Sequence, residues 1–203
     1  MKRIWQLLIA LFLVAVSSYS IAQEVEKRGK DADKPGEEAE SSELTIARVL
    51  RASVTHANRR MFAMAMAMPE DKYGFAPTNG EFKGVRNFGQ QIKHVAAANF
   101  VYAAAILGEK PPVDVGENED GPDSLKSKAE IIQYMKHSFA YVQKAVATIN
   151  EKNVVTPFKN PFGEGQATRL SMVMFIVGHC DDHYGQLDQY LRMNGLETPA
   201  GRR

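Results

Sequence analysis

Four segments of the chain repeat apolar residues at alternating spacings of three and four, and this periodicity constrains the fold more than any other feature. The first runs from about Ser42 to Met68, with Leu50, Val54, Ala57, Met61, Met64 and Met68 on one stripe. Ser42 is a suitable N-cap, and Pro69 cannot continue a helix. The second runs from about Asn87 to Leu107. Phe88, Ile92, Val95 and Tyr102 mark its stripe, alanines beside them let a neighbour approach closely, and Gly108 with Pro111 and Pro112 ends it. The third, from Ser124 to about Asn150, carries Ile132, Met135, Phe139, Val142, Val146 and Ile149. The fourth, from about Ala167 to Asn194, carries Met172, Ile176, His179, His183, Leu187 and Tyr190 and closes at Gly195.

Four amphipathic helices with one stripe each bury those stripes best against one another, so the expected fold is all-α, a four-helix bundle over residues 43–200. The connections at 69–86 and 151–166 are long for a bundle. The link at 109–123 is acidic, with Asp114, Glu117, Glu119, Asp120 and Asp123. Only Asn153 to Thr156 reads as a short extended piece. The methionines at 61, 64, 66 and 68 have helical spacing and flexible thioethers, so they read as core packing rather than a soft-metal site.

The bundle is preceded by a segment of a different kind. Lys2 and Arg3 lead into a run from Ile4 to Val16 broken only by Gln6, and Ser20-Ile21-Ala22 supplies the small residues of a signal-peptidase site. The apolar run is about 13 residues, against about 20 for a membrane span. Residues 1–22 therefore read as a signal peptide cleaved before Gln23, giving a periplasmic or secreted protein with no transmembrane span after cleavage. An uncleaved anchor is the competing reading. The mature chain should begin at Gln23 by mass spectrometry, whereas an intact Met1 in the membrane fraction identifies an anchor. Residues 23–42 are rich in Glu, Lys, Asp, Gly and Ser, too poor in apolar surface to offset ordering entropy, and read as a disordered linker.

Charge and cysteine usage narrow the function. The formal net charge of +1 becomes −1 once Lys2 and Arg3 are removed, so no basic stripe exists for nucleic acid. The single cysteine, Cys180, cannot form an intramolecular disulfide and reads as a packed thiol.

His179 and His183 carry the chemistry. Four residues apart on a helix, their rings share a face, about 6 Å apart at Cβ. Both continue the apolar stripe and so point inward, where polar rings need partners. Two buried imidazoles repel if both are charged, and a metal that binds their neutral forms removes the conflict. Hydrogen-bonded buried histidines are the alternative. His94, deep in the second helix, is the best-placed third ligand. His56 on the first helix is a candidate to line the same cavity or a boundary residue. His137 lies off its stripe and faces solvent. Asp181 and Asp182 fall on the far side of the fourth helix and are not ligands. Gln186 is a candidate for a supporting hydrogen bond and Arg169 for the pocket mouth, while Tyr184 and Arg192 complete the segment after the histidine pair.

The segment His179-Cys-Asp-Asp-His183-Tyr-Gly-Gln-Leu-Asp-Gln-Tyr-Leu-Arg192-Met-Asn-Gly195-Leu-Glu-Thr-Pro199 resembles the closing helix of DinB-like (DinB/YfiT-type) four-helix-bundle proteins. Met68-Pro-Glu-Asp-Lys-Tyr-Gly-Phe-Ala-Pro77 and Arg86-Asn-Phe-Gly-Gln-Gln-Ile-Lys-His94 are similar to that family's approach to its first metal histidine. The resemblance covers roughly 43–200. It implies one divalent metal, zinc or nickel, on His94, His179 and His183, with an open position for water or substrate. Characterised relatives include thiol-dependent transferases and isomerases and metal-dependent hydrolases. The signal-like segment departs from that mostly cytoplasmic pattern and weakens a thiol-cofactor reading. Three functions remain: a metal-dependent transferase or hydrolase, a non-catalytic metal-stabilised binding domain, or a metal-free bundle acting through protein partners. The expected ligand is a small molecule of unidentified class, and a homodimer through bundle faces is compatible with the sequence.

Overall fold

Side-chain caps start each of the four helices. In the computed structural model, which describes residues 44–78 and 84–199, α1 spans Ile46–Ala67, α2 Phe88–Leu107, α3 Lys128–Val146 and α4 Arg169–Met193. The signal-like segment, the linker and Ser42 lie outside the described residues. Thr45, not Ser42, caps α1, with its hydroxyl accepting from the Arg48 N–H at 3.3 Å. Asn87 and Gln90 cap α2 reciprocally, each side chain accepting a backbone N–H at 2.8 Å. α2 ends where Gly108 turns into the left-handed region at φ 72°.

The third helix begins at Lys128 rather than Ser124 because only Ser127 has an acid three residues on. The Glu130 carboxylate accepts from the Ser127 N–H at 2.9 Å, and the Ser127 hydroxyl accepts from the Glu130 N–H. The helix stops at Val146, short of Asn150, although Ile149 stays buried in the turn that follows. α4 begins at Arg169, after a Thr168–Ser171 box.

The expected extended piece at Asn153 to Thr156 is a turn. The strands lie just after it: β1, Pro157–Lys159, pairs antiparallel with β2, Gln166–Thr168, with Phe158 opposite Ala167. Turn closure explains the difference, since the Asn153 amide donates to the Thr148 carbonyl and folds 150–156 back on α3. The hairpin is short and irregular, and its 3-residue strands give period-two alternation little to show.

The four helices pack as the stripes require. α2 lies against α3 most extensively and also against α4, while α1 packs on α4 and α3. The first stripe is buried throughout, as are all six named residues of the third. α2 is the central element. Its alanines at 96, 97, 98, 103 and 104 are buried, so neighbours close on it from several sides. Each fully buried Met, Phe, Ile or Leu in this core contributes roughly 1.5–3 kcal/mol of transfer free energy. Met66 departs from the expectation: it is 51% exposed, because it falls off the 61–64–68 stripe. No helix among the described residues is long and apolar enough to cross a membrane.

Candidate metal centre

The packing of α2 on α4 brings three imidazoles to one point. Nε2 of His179 lies 3.1 Å from Nε2 of His94 and 3.0 Å from Nε2 of His183. The ring centroids are 4.5–5.0 Å apart and the planes inclined at 69–79°, so the rings meet edge-on instead of stacking. His183 is buried, and His94 and His179 are partly buried.

The hydrogen bonds outside this triangle set the tautomers. The Glu119 backbone carbonyl lies 2.9 Å from His94 Nδ1, and a carbonyl can only accept, so that nitrogen donates. For His183 the polarity is set three residues away. The Asp182 carboxylate accepts from Gln186 Nε2 at 3.0 Å. Gln186 therefore offers Oε1 to Gln91 Nε2, at 2.8 Å. Gln91 in turn offers Oε1 to His183 Nδ1, which must donate. His94 and His183 thus both direct an Nε2 lone pair at His179.

Without an ion, His179 can donate from Nε2 to only one of those lone pairs. A cation accepts all three. Tetrahedral geometry with 2.0–2.1 Å nitrogen–metal bonds separates the donor atoms by about 3.3 Å, close to the spacing found. One ligand atom from each ring lies within 4.8 Å of the others, so the residues present fit a divalent ion. His179 is the least constrained of the three rings: its Nδ1 is buried without a hydrogen-bond partner among the described residues, and Tyr102 packs 6.0 Å from its ring.

A sequence model of the DinB superfamily matches residues 53–187, a span that contains all three histidines. The chain belongs to the DinB superfamily. Solved structures share the architecture of this DinB-family domain. A DinB-like protein from Bacillus cereus aligns with a TM-score of 0.60 at 20% identity, covering 76% of this chain and 96% of its own. A conserved protein from Enterococcus faecalis gives 0.60 at 13%, covering 74% and 98%. A DinB-like protein from Bacillus subtilis gives 0.57 at 13%, covering 76% and 99%. At these identities the likeness is one of fold. No curated protein matches the chain.

The acidic 109–123 link grips α2 around His94. Lys93 Nζ donates to the Pro122 carbonyl at 3.1 Å, beside the His94–Glu119 bond. Gly121 packs so close to α2 that a Cβ there would stand 3.0 Å from the Lys93 Cβ. Asn118 and Glu119 adopt positive φ, 52° and 57°, which strains a non-glycine backbone and turns the Glu119 carbonyl onto the ring. Arg86 Nε holds Asp120 at 2.6 Å, and Tyr134 donates its hydroxyl to the Asp114 carbonyl at 2.9 Å.

Burial pulls the histidines below their ordinary pKa, most for His183, to about 3, and His179, to about 4, with neighbouring imidazoles adding to the effect. His94 is lowered mainly by burial, against the opposing Glu119 hydrogen bond. The unfolded chain, with histidines near 6.5, then binds more protons than the folded one. Stability of the metal-free protein should rise with pH between about 4 and 6.5 and fall as pH drops through that window. His183 alone should remove about 2 kcal/mol between pH 7 and pH 5. Urea midpoints of metal-free protein at the two pH values check this, and equal midpoints would contradict it.

Among the other residues that the sequence singles out, Gln186 supports the site, through Gln91 rather than directly. His56 and His137 are exposed and stand apart from the triad. Arg169 turns to the Asn153 carbonyl at 3.4 Å and over the Phe158 ring, away from the histidines. Arg192 pairs with Asp188 at 2.7 Å. Tyr184 lies beneath the Arg60 guanidinium, which also pairs with Asp181. Cys180 is buried, and burial pushes its thiol up to about 12, which makes it unreactive. Asp182 lies outside the three-histidine cluster, but it does not sit apart from the site: it lines a cleft beside His179 and sets the polarity of the Gln186–Gln91–His183 chain. Gln91, Tyr102 and the Glu119 carbonyl were not legible as site groups. Gln91 left one signal, a polar residue one turn before His94.

Proposed function

We propose that this domain binds one divalent metal, zinc or nickel, through Nε2 of His94, His179 and His183, and uses it as an exported metal-dependent transferase or hydrolase. One observation carries the metal: two rings locked by carbonyl oxygens direct their lone pairs at a third ring about 3 Å away. Three protein ligands on a site beside an open cleft favour a catalytic arrangement over a closed structural one. A bound divalent ion supplies Lewis acidity, polarising a carbonyl or easing deprotonation of water or a thiol. The chain itself orients the imidazoles through Glu119, Gln91 and Gln186, shields one side with Tyr102 and places a carboxylate, Asp182, at the cleft wall as a proton acceptor. Export rests on the basic and apolar composition of residues 1–22.

Elemental analysis of protein expressed with zinc and nickel should find one equivalent in the wild type and none in the His179→Ala/His183→Ala double variant. Equal metal content in the two removes the reading. With metal content established, turnover of activated esters or amides above that of the double variant separates an enzyme from a non-catalytic metal-stabilised domain.

A further inference from the structure

We propose that the cleft beside His179 takes an uncharged or cationic substrate with an aromatic or alkyl body, whose polar head meets the three-histidine site. The proposal rests on the metal reading and names the ligand class for that site. The cleft is open to solvent and offers about 650 Å³, within the range of small-molecule pockets, roughly 300–1,000 Å³. Tyr102, Met174 and Phe175 form its apolar wall. Met174 is 65% exposed and Phe175 58%, unusual for side chains that a folded domain normally covers. The wall continues onto the hairpin, where Phe162 packs 4.6 Å from Tyr102, centroid to centroid. Tyr102 and Phe175 lie nearly parallel, at 7° and 6.4 Å, as an offset aromatic pair. Gly178 leaves the floor open, since a Cβ there would meet no atom within 4 Å.

Charge narrows the occupant. Asp182 is the one charged side chain among the lining residues. Glu119 stands close enough to His94 and Tyr102 to act on both electrostatically. Arg86, which acts electrostatically on all three histidines, is held by Asp120, and Arg169 at the start of α4 is turned to the Asn153 carbonyl. Apart from the metal, which the polar head takes, the lining offers an anionic body no cationic side chain. A cationic body finds a carboxylate and aromatic faces.

Calorimetry on the full chain loaded with zinc tests this with three hydroxamates, whose shared head ligates metal. Benzohydroxamate should bind at least tenfold more tightly than acetohydroxamate, and 4-carboxybenzohydroxamate should lose most of that gain. Gly178→Leu should erase the gain with zinc content unchanged. Leucine is a better helix former than glycine, so the loss cannot be assigned to unfolding. Phe175→Ala should reduce the gain in the same direction. Equal binding of the first two probes, or tighter binding of the carboxylate, overturns the proposal. If the chain holds no zinc, the metal reading fails by itself, and the cleft is read with Nile Red, an uncharged dye. Emission lost in Gly178→Leu supports an apolar ligand site, and unchanged emission overturns it. A change in solution mass by light scattering in Gly178→Leu, with probe binding intact, marks the cleft as a self-association surface and also overturns it.

Discussion

One equivalent of zinc or nickel should raise the midpoint of thermal unfolding of the metal-free domain by about 8–16 °C when free metal stands at about a thousand times Kd. The magnitude follows from linkage. A ligand bound only by the folded state contributes about 4 kcal/mol at that excess, and a domain of this size shifts by about 2–4 °C per kcal/mol. Folding pre-forms the site, because two of the three tautomers are set by oxygens from α2 and from the 109–123 link. The unfolded chain has no such arrangement, with His94 separated from His179 by 85 residues. The His179→Ala/His183→Ala variant should show no metal-dependent shift. Scanning calorimetry of both proteins with and without metal checks the result, and a similar shift in both would place the binding elsewhere.

Gly116→Ala should destabilise the domain by about 2–4 kcal/mol and weaken metal binding by about 10–100-fold. Gly116 has φ 71°, a conformation that strains any residue with a Cβ. A Cβ there would also stand 2.3 Å from the Gly121 carbonyl oxygen. The obstacle is backbone, which cannot swing aside as a flexible side chain would. The loop from Val115 to Gly121, closed by the Gly121 N–H to the Val115 carbonyl at 2.9 Å, must open. Glu119 is carried by that loop, so the carbonyl that orients His94 moves with it. Urea unfolding measures the first effect and metal titration the second. Lost stability with unchanged affinity would show that the Glu119 contact does not orient the ligand.

Much of the fold was legible because an amphipathic helix writes its buried face locally. The stripes in α1 and α3 depend only on residues three and four apart, and those positions are buried as read. Helix starts were less legible wherever two candidate caps compete. Ser124 and Ser127 look alike until Glu130 selects the second. The hairpin at 157–168 escaped because its strands are three residues long, with little periodicity to read.

The candidate site divides in the same way. The spacing of His179 and His183 and their inward phase were determined by the sequence alone, because one helix carries both. His94 was placed beside them by resemblance and position, and the packing of α2 on α4 then put its Nε2 3.1 Å from His179. Only the tertiary structure decided the rest. The Glu119 contact is a backbone carbonyl and leaves no side-chain signature. Asp182, which helical phase assigned to the far side, lines the cleft beside His179 together with Tyr102 of α2. The Asp182–Gln186–Gln91–His183 chain crosses between two helices, and so does the triangle of nitrogens. Local spacing determines which face a side chain takes on its own helix. Which groups meet across two helices depends on how far each is rotated and shifted against the other, and packing sets that.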